Sequence, residues 1–589
     1  MLLNAENSPI ARRVRGRMSL VTSSARRRRI QQRPINETTQ PVKPLANSPL
    51  ATLSAPHITP IKTFNSQKNI KAGRLAVASP LCRRQPVLSP YITIPPNRGI
   101  ESLLKTCNQD SVLDFSTSIK NLCSKFRPET GLIGNWIKVG EASYSEVYCW
   151  SSPKVSRNSS VKMNEQIVMK VIPIRRPGRQ AKHISTTTID HSDDSRKSDP
   201  NESPAETDWA DAEKEVKLTK LLGSSSSIEG FIDFRGCLVV SGAYPKVLLK
   251  EWDKYKRRFP QQSYNPRPSK FHIKQLYCCI LLRNSGTDLE SFEVLDWQQA
   301  ASIFSQVINT LSQGERKYRF EHRDLHWGNI LVEPVESSKL NHNQTVSSSK
   351  RAEKHIEGIA KLLFETKLDS PLNPLDPSSS GVSVSIIDYG LSRANLPSSL
   401  NISKKGRDAQ KAEQVVWTKP DSDIFGGSST NSDYQFMCYD LMNISMKNKP
   451  WSEFNPTTNF IWLHYVVKKL IEEKGLSAPP SLTKSQNNDR PICSQAQQNL
   501  SERVTREKST IESKCYKLLV ESEKALGSLI QIKVPSLASS KPTTRSNLGR
   551  KIDSRGFLDE FCGIDGSDEL SASMFLNWWN LQQNETFQN

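Results

Sequence analysis

The sequence predicts an α+β protein of two lobes, a small β-rich one first and a larger helical one second, with a disordered N-terminal tail and surface insertions. Three observations carry this expectation. Short apolar, β-branched runs crowd the stretch from about 135 to 285, helical patterns dominate the chain beyond 285, and polar segments interrupt the order without erasing it.

Residues 1 to about 104 are basic, rich in Pro and Ser, and without apolar period, so they are expected to be disordered. The formal charge is +21, and the first hundred residues alone hold 17 Lys and Arg against two acids. The run Arg26-Arg27-Arg28-Arg29 suits contact with DNA phosphates or an import receptor, the alternative being a solvated tail. Ser-Pro and Thr-Pro pairs at Ser8, Ser48, Thr59, Ser79 and Ser89 offer proline-directed phosphorylation sites that would offset this charge.

From 105 to 589 one folded domain is expected. Trp136-Ile137-Lys138-Val139 and Ser145 to Trp150 read as two strands around a tight turn, and Ile167 to Ile172 as a third. A helix comes next over 209–222, then a strand over Leu276 to Leu282, in which Cys278 and Cys279 are packing residues, then an amphipathic helix over 296–314. Polar stretches near 176–208, 335–380, 476–500 and 537–552 read as insertions, which a core tolerates because loop-closure entropy grows only logarithmically.

Composition excludes several classes. Eleven Cys form no C-x-x-C pair and stand apart from His, against a zinc site or a disulfide framework and in keeping with a reducing compartment. No apolar stretch is long enough to cross a bilayer, and Arg12, Arg13, Arg15 and Arg17 interrupt any signal-peptide run, so a soluble intracellular protein without membrane contact is expected.

The chemistry is concentrated in Phe320-Glu321-His322-Arg323-Asp324-Leu325-His326-Trp327-Gly328-Asn329. It has the form of a kinase catalytic loop, H-R-D-L-x-x-x-N, in which an Asp reaches the acceptor hydroxyl and an Asn five residues on turns back to a metal ion. Downstream, Ser385-Ile386-Ile387-Asp388-Tyr389-Gly390 is an apolar strand ending in a D-F-G-like triplet, whose Asp388 would hold the metal. Upstream, Lys170 is the one cation inside an apolar strand and needs an anionic partner. Glu213 and Glu215 on the following helix are the candidates. The segment Gly140 to Val147 keeps only the first glycine of G-x-G-x-x-G-x-V, with small Ala142 and Ser145 at the other two glycine positions, so close backbone approach to a phosphate stays open.

With F-E-H-R-D-L-H-W-G-N at 320–329, S-I-I-D-Y-G-L-S-R at 385–393, D-Y-Q-F at 433–436, W-L-H-Y at 462–465 and L-L-K-E-W-D-K-Y at 248–255, the chain resembles the haspin family of protein kinases. No A-P-E triplet follows Tyr389, as in that family, which implies activity without activation-loop phosphorylation. The resemblance implies a bilobal eukaryotic protein kinase fold, ATP and Mg2+ as cofactors, and phosphorylation of a threonine at the third position of the histone H3 tail in mitosis, by a monomer on chromosomes in the nucleus. Carried over, Asp324 is the catalytic base, Asn329 and Asp388 are metal ligands, and Lys170, paired with Glu215, contacts phosphate. Val139, Gly140 and Val147 cover the nucleotide, Leu282 is the gatekeeper, and Arg283, Asn284 and Ser285 form the hinge up to Gly286. Asp288 faces the ribose or the substrate, or caps a helix near Leu289, and Asp433 supports the catalytic loop. Glu141, His326, Asp421 and Asp423 fall at substrate contacts, although Ser422 interrupts the acidic run.

Other classes remain open to the same residues. Small-molecule phosphotransferases use H-G-D-L-H-x-G-N loops, against which stand Arg323 and Asp433-Tyr434-Gln435-Phe436. A non-catalytic chromatin adaptor is suggested by the glycine-poor loop, and a kinase for other basic substrates would share every motif.

Overall fold

The computed structural model describes residues 98–125, 134–142, 144–151, 166–175, 204–224, 228–260, 263, 265–335, 373–397, 414–426, 433–447, 449–479, 496–534 and 569–588. The arginine run, the Ser-Pro and Thr-Pro pairs and most of the four insertions lie outside these residues.

The order of patterns does yield mixed sheet and helix. A six-stranded sheet has the order β1-β5-β6-β4-β3-β2. Its strands are β1 Leu113–Asp114, β2 Asn135–Ala142, β3 Ser145–Ser151, β4 Ile167–Ile174, β5 Phe234–Ser241 and β6 Leu276–Arg283. β4 reads as a continuous apolar run because both sheet faces are covered. Met169 and Val171 pack toward Tyr148, Tyr277 and Leu248, whereas Ile172 and Ile174 pack toward Ile100, Leu103 and Val216. The covering helices on the second face are α1 Arg98–Thr106 and α3 Trp209–Gly223; on the first they are α2 Phe115–Lys125 and α4 Lys246–Arg258.

Asp208 caps α3 by accepting from Ala210 N at 3.0 Å. The helix then serves two cores, with Ala212 and Val216 under the sheet and Leu218, Leu221 and Leu222 in the large cluster of the helical part. That cluster is built around α5 Trp297–Tyr318, capped by Asp296 on Gln299 N at 3.0 Å and closed by Arg319 in the left-handed region (φ 47°). Around it stand α6 Tyr434–Met446, α7 Thr457–Glu472, α8 Ala496–Lys533 and α9 Ala572–Gln588.

A small sheet, β7 Thr287–Asp288, β8 Ile330–Pro334 and β9 Val382–Ile386, joins the two parts. β8 and β9 pair from Ile330↔Ile386 to Pro334↔Val382, and Val335 N still bonds Gly381 O at 2.9 Å. The insertion therefore leaves from the tip of a complete hairpin. Gly286, just before β7, has φ +96°, and a Cβ there would sit 2.2 Å from Val332 O, so only glycine fits.

Three expected boundaries fall within described elements. The edge drawn at 104 falls inside α1, whose Ile100 and Leu103 are buried. The insertion drawn to 380 ends earlier, because Leu375 is buried and Ser380 bonds Ser302 at 2.8 Å. The one drawn to 500 overlaps the start of α8. Near the C-terminus, Trp579 packs edge-on to Phe304 at 5.3 Å and donates to Ser305 Oγ, while Glu315 of α5 accepts from Ala572 N and Ser573 N at the head of α9.

Candidate active site

The catalytic-loop residues come directly after α5, and the loop is fixed by buried polar contacts. Glu321 and Arg323 form a fully buried bidentate pair at 3.0 Å, and Arg323 takes φ +64°. Asn459 of α7 accepts from His322 N at 2.9 Å and donates to Phe320 O at 2.9 Å. Two ammonium groups, Lys469 and Lys474, lie over the Trp327 ring at 4.8 and 5.4 Å. Asp433 caps α6 on Gln435 N and pairs with Lys469 at 3.3 Å.

Between the six-stranded sheet and the small sheet lies a cleft of about 650 Å³, lined by Val147, Val168, Leu282, Leu331 and Ile387 among other apolar side chains. Lys170, Glu215, Arg283, Asn284 and Asp388 also line it. Lys170 Nζ stands 2.6 Å from Glu215 Oε1 and 3.4 Å from Asp388 Oδ2. Glu213 turns away, toward Ser102 at 2.7 Å and Lys217 at 2.8 Å. Burial acts against the Lys170 charge, but Asp388 and Glu215 outweigh it and hold the ammonium form. For Asp388 burial is likewise outweighed by Lys170, and its carboxyl stays below the usual range. Glu215 is pushed up by burial.

Asp388 takes φ +64°, the second non-glycine residue of the site in the left-handed region after Arg323. Tyr389 anchors the turn, donating to Ile386 O at 2.8 Å and packing edge-on to Phe231 and Phe320. Asn329 is buried and donates to Asp324 O at 2.8 Å. Asp324 is pushed up to about 8 by burial, against which works a 2.5 Å hydrogen bond from Tyr439 of α6. Tyr439 carries no motif, and 115 residues separate it from Asp324, so sequence reasoning missed it.

Val139, Gly140, Ser285 and Asp288 are not among the residues that line the cleft. Asp288 is buried and pushed up to about 7 by that burial; Oδ1 accepts from Ser291 N at 2.8 Å, and Oδ2 has no hydrogen-bond partner. Two residues expected at peptide contacts are engaged within the protein. Glu141 is buried, bonded by Ser263 Oγ at 2.7 Å and Asn265 N at 3.1 Å and paired with Lys138 at 3.2 Å. His326 is buried too, its Nδ1 accepting from Gly328 N within its own turn. Asp421 is exposed at the head of a short turn, Ser422–Ile424; the side chain of Asp423 lies outside the described residues.

An amide and a carboxylate, Asn329 and Asp388, are the oxygen donors at hand, and no group of three or more His, Cys, Asp or Glu suited to a metal occurs among the described residues. That sparse set fits Mg2+, which keeps waters and substrate phosphates as ligands in preference to a protein cage.

The family description Haspin like kinase domain matches residues 57–519. The chain belongs to the haspin-like kinase family. The match starts at 57, upstream of the expected boundary, and ends within α8. Haspin relatives include the serine/threonine-protein kinase haspin homolog hrk1 of Schizosaccharomyces pombe, 30% identical over 394 residues, 66% of this chain and 63% of the relative. The haspin homolog of Drosophila melanogaster is 30% identical over 64% of this chain and 54% of its own. Haspin of Mus musculus is 31% identical over 44% of this chain and 29% of its own. The matched stretch thus spans less than two thirds of each of these haspins.

Proposed function

We propose that this chain is an ATP-dependent serine/threonine protein kinase that phosphorylates the threonine at the third position of the histone H3 tail during mitosis, on chromosomes in the nucleus. The observation that carries the phosphotransfer reading is the Lys170–Glu215–Asp388 constellation in a cleft between the two sheets, with Asp324 nearby. Lys170, held charged by two carboxylates, orients nucleotide phosphates; Asp324 accepts the acceptor hydroxyl's proton. Asn329 and Asp388 would hold Mg2+, which neutralises phosphate charge when bound. Val139, Gly140 and Val147 cover the nucleotide, Leu282 acts as gatekeeper, and Arg283, Asn284 and Ser285 meet the adenine edge.

The basic tail of the substrate requires carboxylates, and Asp288, with one buried oxygen unpartnered, Asp421 and Asp423 are the candidates. The test is transfer from MgATP to a peptide bearing the H3 N-terminus. Wild type labels it and Asp388→Ala does not; equal labelling by both removes the mechanism, and labelling of casein but not the H3 peptide removes the substrate.

A further inference from the structure

Glu315, in the last turn of α5, is a buried carboxylate that makes no ion pair among the described residues. Its oxygens accept from neutral donors instead. Asn459 Nδ2 and Ala572 N meet Oε1 at 3.0 and 3.1 Å, and Ser573 N and Ser573 Oγ meet Oε2 at 2.9 and 3.0 Å. All but Asn459 belong to the head of α9, where N–H groups without intrahelical partners favour an anion. Burial pushes Glu315 up to about 7, and these donors work against that shift. Asn459 carries the influence of the carboxylate to the catalytic loop. Its Nδ2 divides its hydrogens between Glu315 Oε1 and Phe320 O, the latter at 2.9 Å, while Oδ1 accepts from His322 N at 2.9 Å. An amide has nearly the same shape either way round, so its partners set its orientation. Turned over, Asn459 would put its oxygen against a carboxylate and a carbonyl, and its NH2 against the His322 N–H. The His322 ring extends the path: Nδ1 accepts from Asp324 N at 3.3 Å, and Nε2 donates at 3.0 Å to the carbonyl of Ile387, the residue before Asp388. Burial lowers His322 to about 4, so the ring is neutral and one tautomer serves both bonds.

We propose that Glu315 is a positioning residue for phosphotransfer: held by the head of α9, it fixes the Asn459 amide, and through Asn459 and His322 it fixes the backbone that carries Asp324 and Asp388. The inference rests on the reading of Asp324 as base and Asp388 as metal ligand. α9 lies beyond residue 519, where the match to the family description ends, so the coupling reaches the site from outside the matched stretch. Without the donors of α9, burial would keep the Glu315 carboxyl protonated, and its O–H would compete with the lone pair that Asn459 Nδ2 needs.

The test is steady-state transfer to the H3 peptide by full-length variants, with amide hydrogen exchange followed over 319–331. E315L removes both oxygens, and kcat is expected to fall by about 10- to 100-fold. KM for MgATP stays within about two-fold of wild type, because Lys170 and Glu215 are untouched, and exchange of the loop amides rises. W579A loosens α9 against Phe304 but leaves the donors to Glu315 in place, so kcat stays within about three-fold; that comparison separates positioning from stability. N459D keeps the shape of the side chain but sets a second carboxylate against Glu315, and its kcat falls. In E315Q/N459D an amide faces that carboxylate again, and kcat recovers by about 10-fold over N459D, a readout that stands even if E315L does not fold. Equal kcat losses in E315L and W579A, a loss in E315L carried by KM alone, or no recovery in the double variant overturns the proposal. A wild-type chain that leaves the peptide unlabelled, while loop exchange still rises in E315L and not in W579A, removes the catalytic reading of Asp324 and leaves the coupling of α9 to the loop standing.

Discussion

Replacing Tyr439 by Phe removes a single hydroxyl, the one that donates to Asp324 at 2.5 Å. Hydrogen bonds to charged groups contribute about 1.5–3 kcal/mol, and 1.36 kcal/mol is one pH unit, so the Asp324 titration moves by about one to two units. The direction is upward. Burial already lifts Asp324 to about 8, and Tyr439 favours the ionised form, so its loss favours the acid. A general base acts ionised; kcat/KM for peptide therefore falls by about 10- to 100-fold at pH 7 and recovers as pH rises through the shifted titration. The assay is a pH profile of kcat/KM at saturating MgATP for both proteins. MgATP lowers the absolute position in each, so the readout is the separation between the profiles. Superimposed profiles, or a loss equal at every pH, would refute Asp324 as a base tuned by Tyr439.

Glu215→Gln leaves Lys170 with Asp388 alone, and kcat/KM for ATP should fall by up to about 10²-fold through misplacement of the ammonium, measured by steady-state kinetics. Gly286→Ala forces a Cβ to within 2.2 Å of Val332 O at φ +96°, and should cost more than about 1 kcal/mol in denaturant unfolding and raise the KM for ATP. Trp579→Ala empties a fully buried site against Phe304; a loss of about 3–5 kcal/mol by chemical denaturation is expected, with the active-site pH profile unmoved.

What could be read from the sequence was what is local. Strands β3, β4 and β6 announced themselves because each buries contiguous β-branched or aromatic residues, and the β8–β9 hairpin was legible across its insertion because both apolar arms survive. α4 was not anticipated as a helix: its many charges mask an apolar side of only Leu248, Trp252 and Tyr255. α8 hid for a related reason, a thin seam of Cys515, Leu518, Leu519, Leu526 and Leu529 in a polar 38-residue helix. Of the site, motif spacing named Asp324, Asn329 and Asp388, whereas Tyr439 and Asn459 reach the catalytic loop only through tertiary packing. For Glu141 the sequence says that a carboxylate is there but not that Ser263, Asn265 and Lys138 surround it.

Those donors also bear on the missing glycines of the nucleotide loop. β2 and β3 remain paired up to Ala142↔Ser145, with one register shift between Lys138 and Gly140, so the segment is a bulged hairpin almost to its tip. Behind it Lys138, Glu141 and Glu146 are buried together, Lys138 bonded to Glu146, with Trp252 Nε1 donating to Glu146 and Ser263 and Asn265 donating to Glu141. Burial pushes Glu146 up to about 7 even with Lys138 beside it, so the cluster adds little to stability. Its effect is on register: a one-residue slip of β2 would turn Lys138 and Glu141 onto the opposite face, away from Glu146. A hairpin fixed in this way needs no glycine flexibility, and it loses less freedom when a nucleotide binds beneath it. In the same geometry the Glu141 carboxylate ties the hairpin to Ser263 and Asn265.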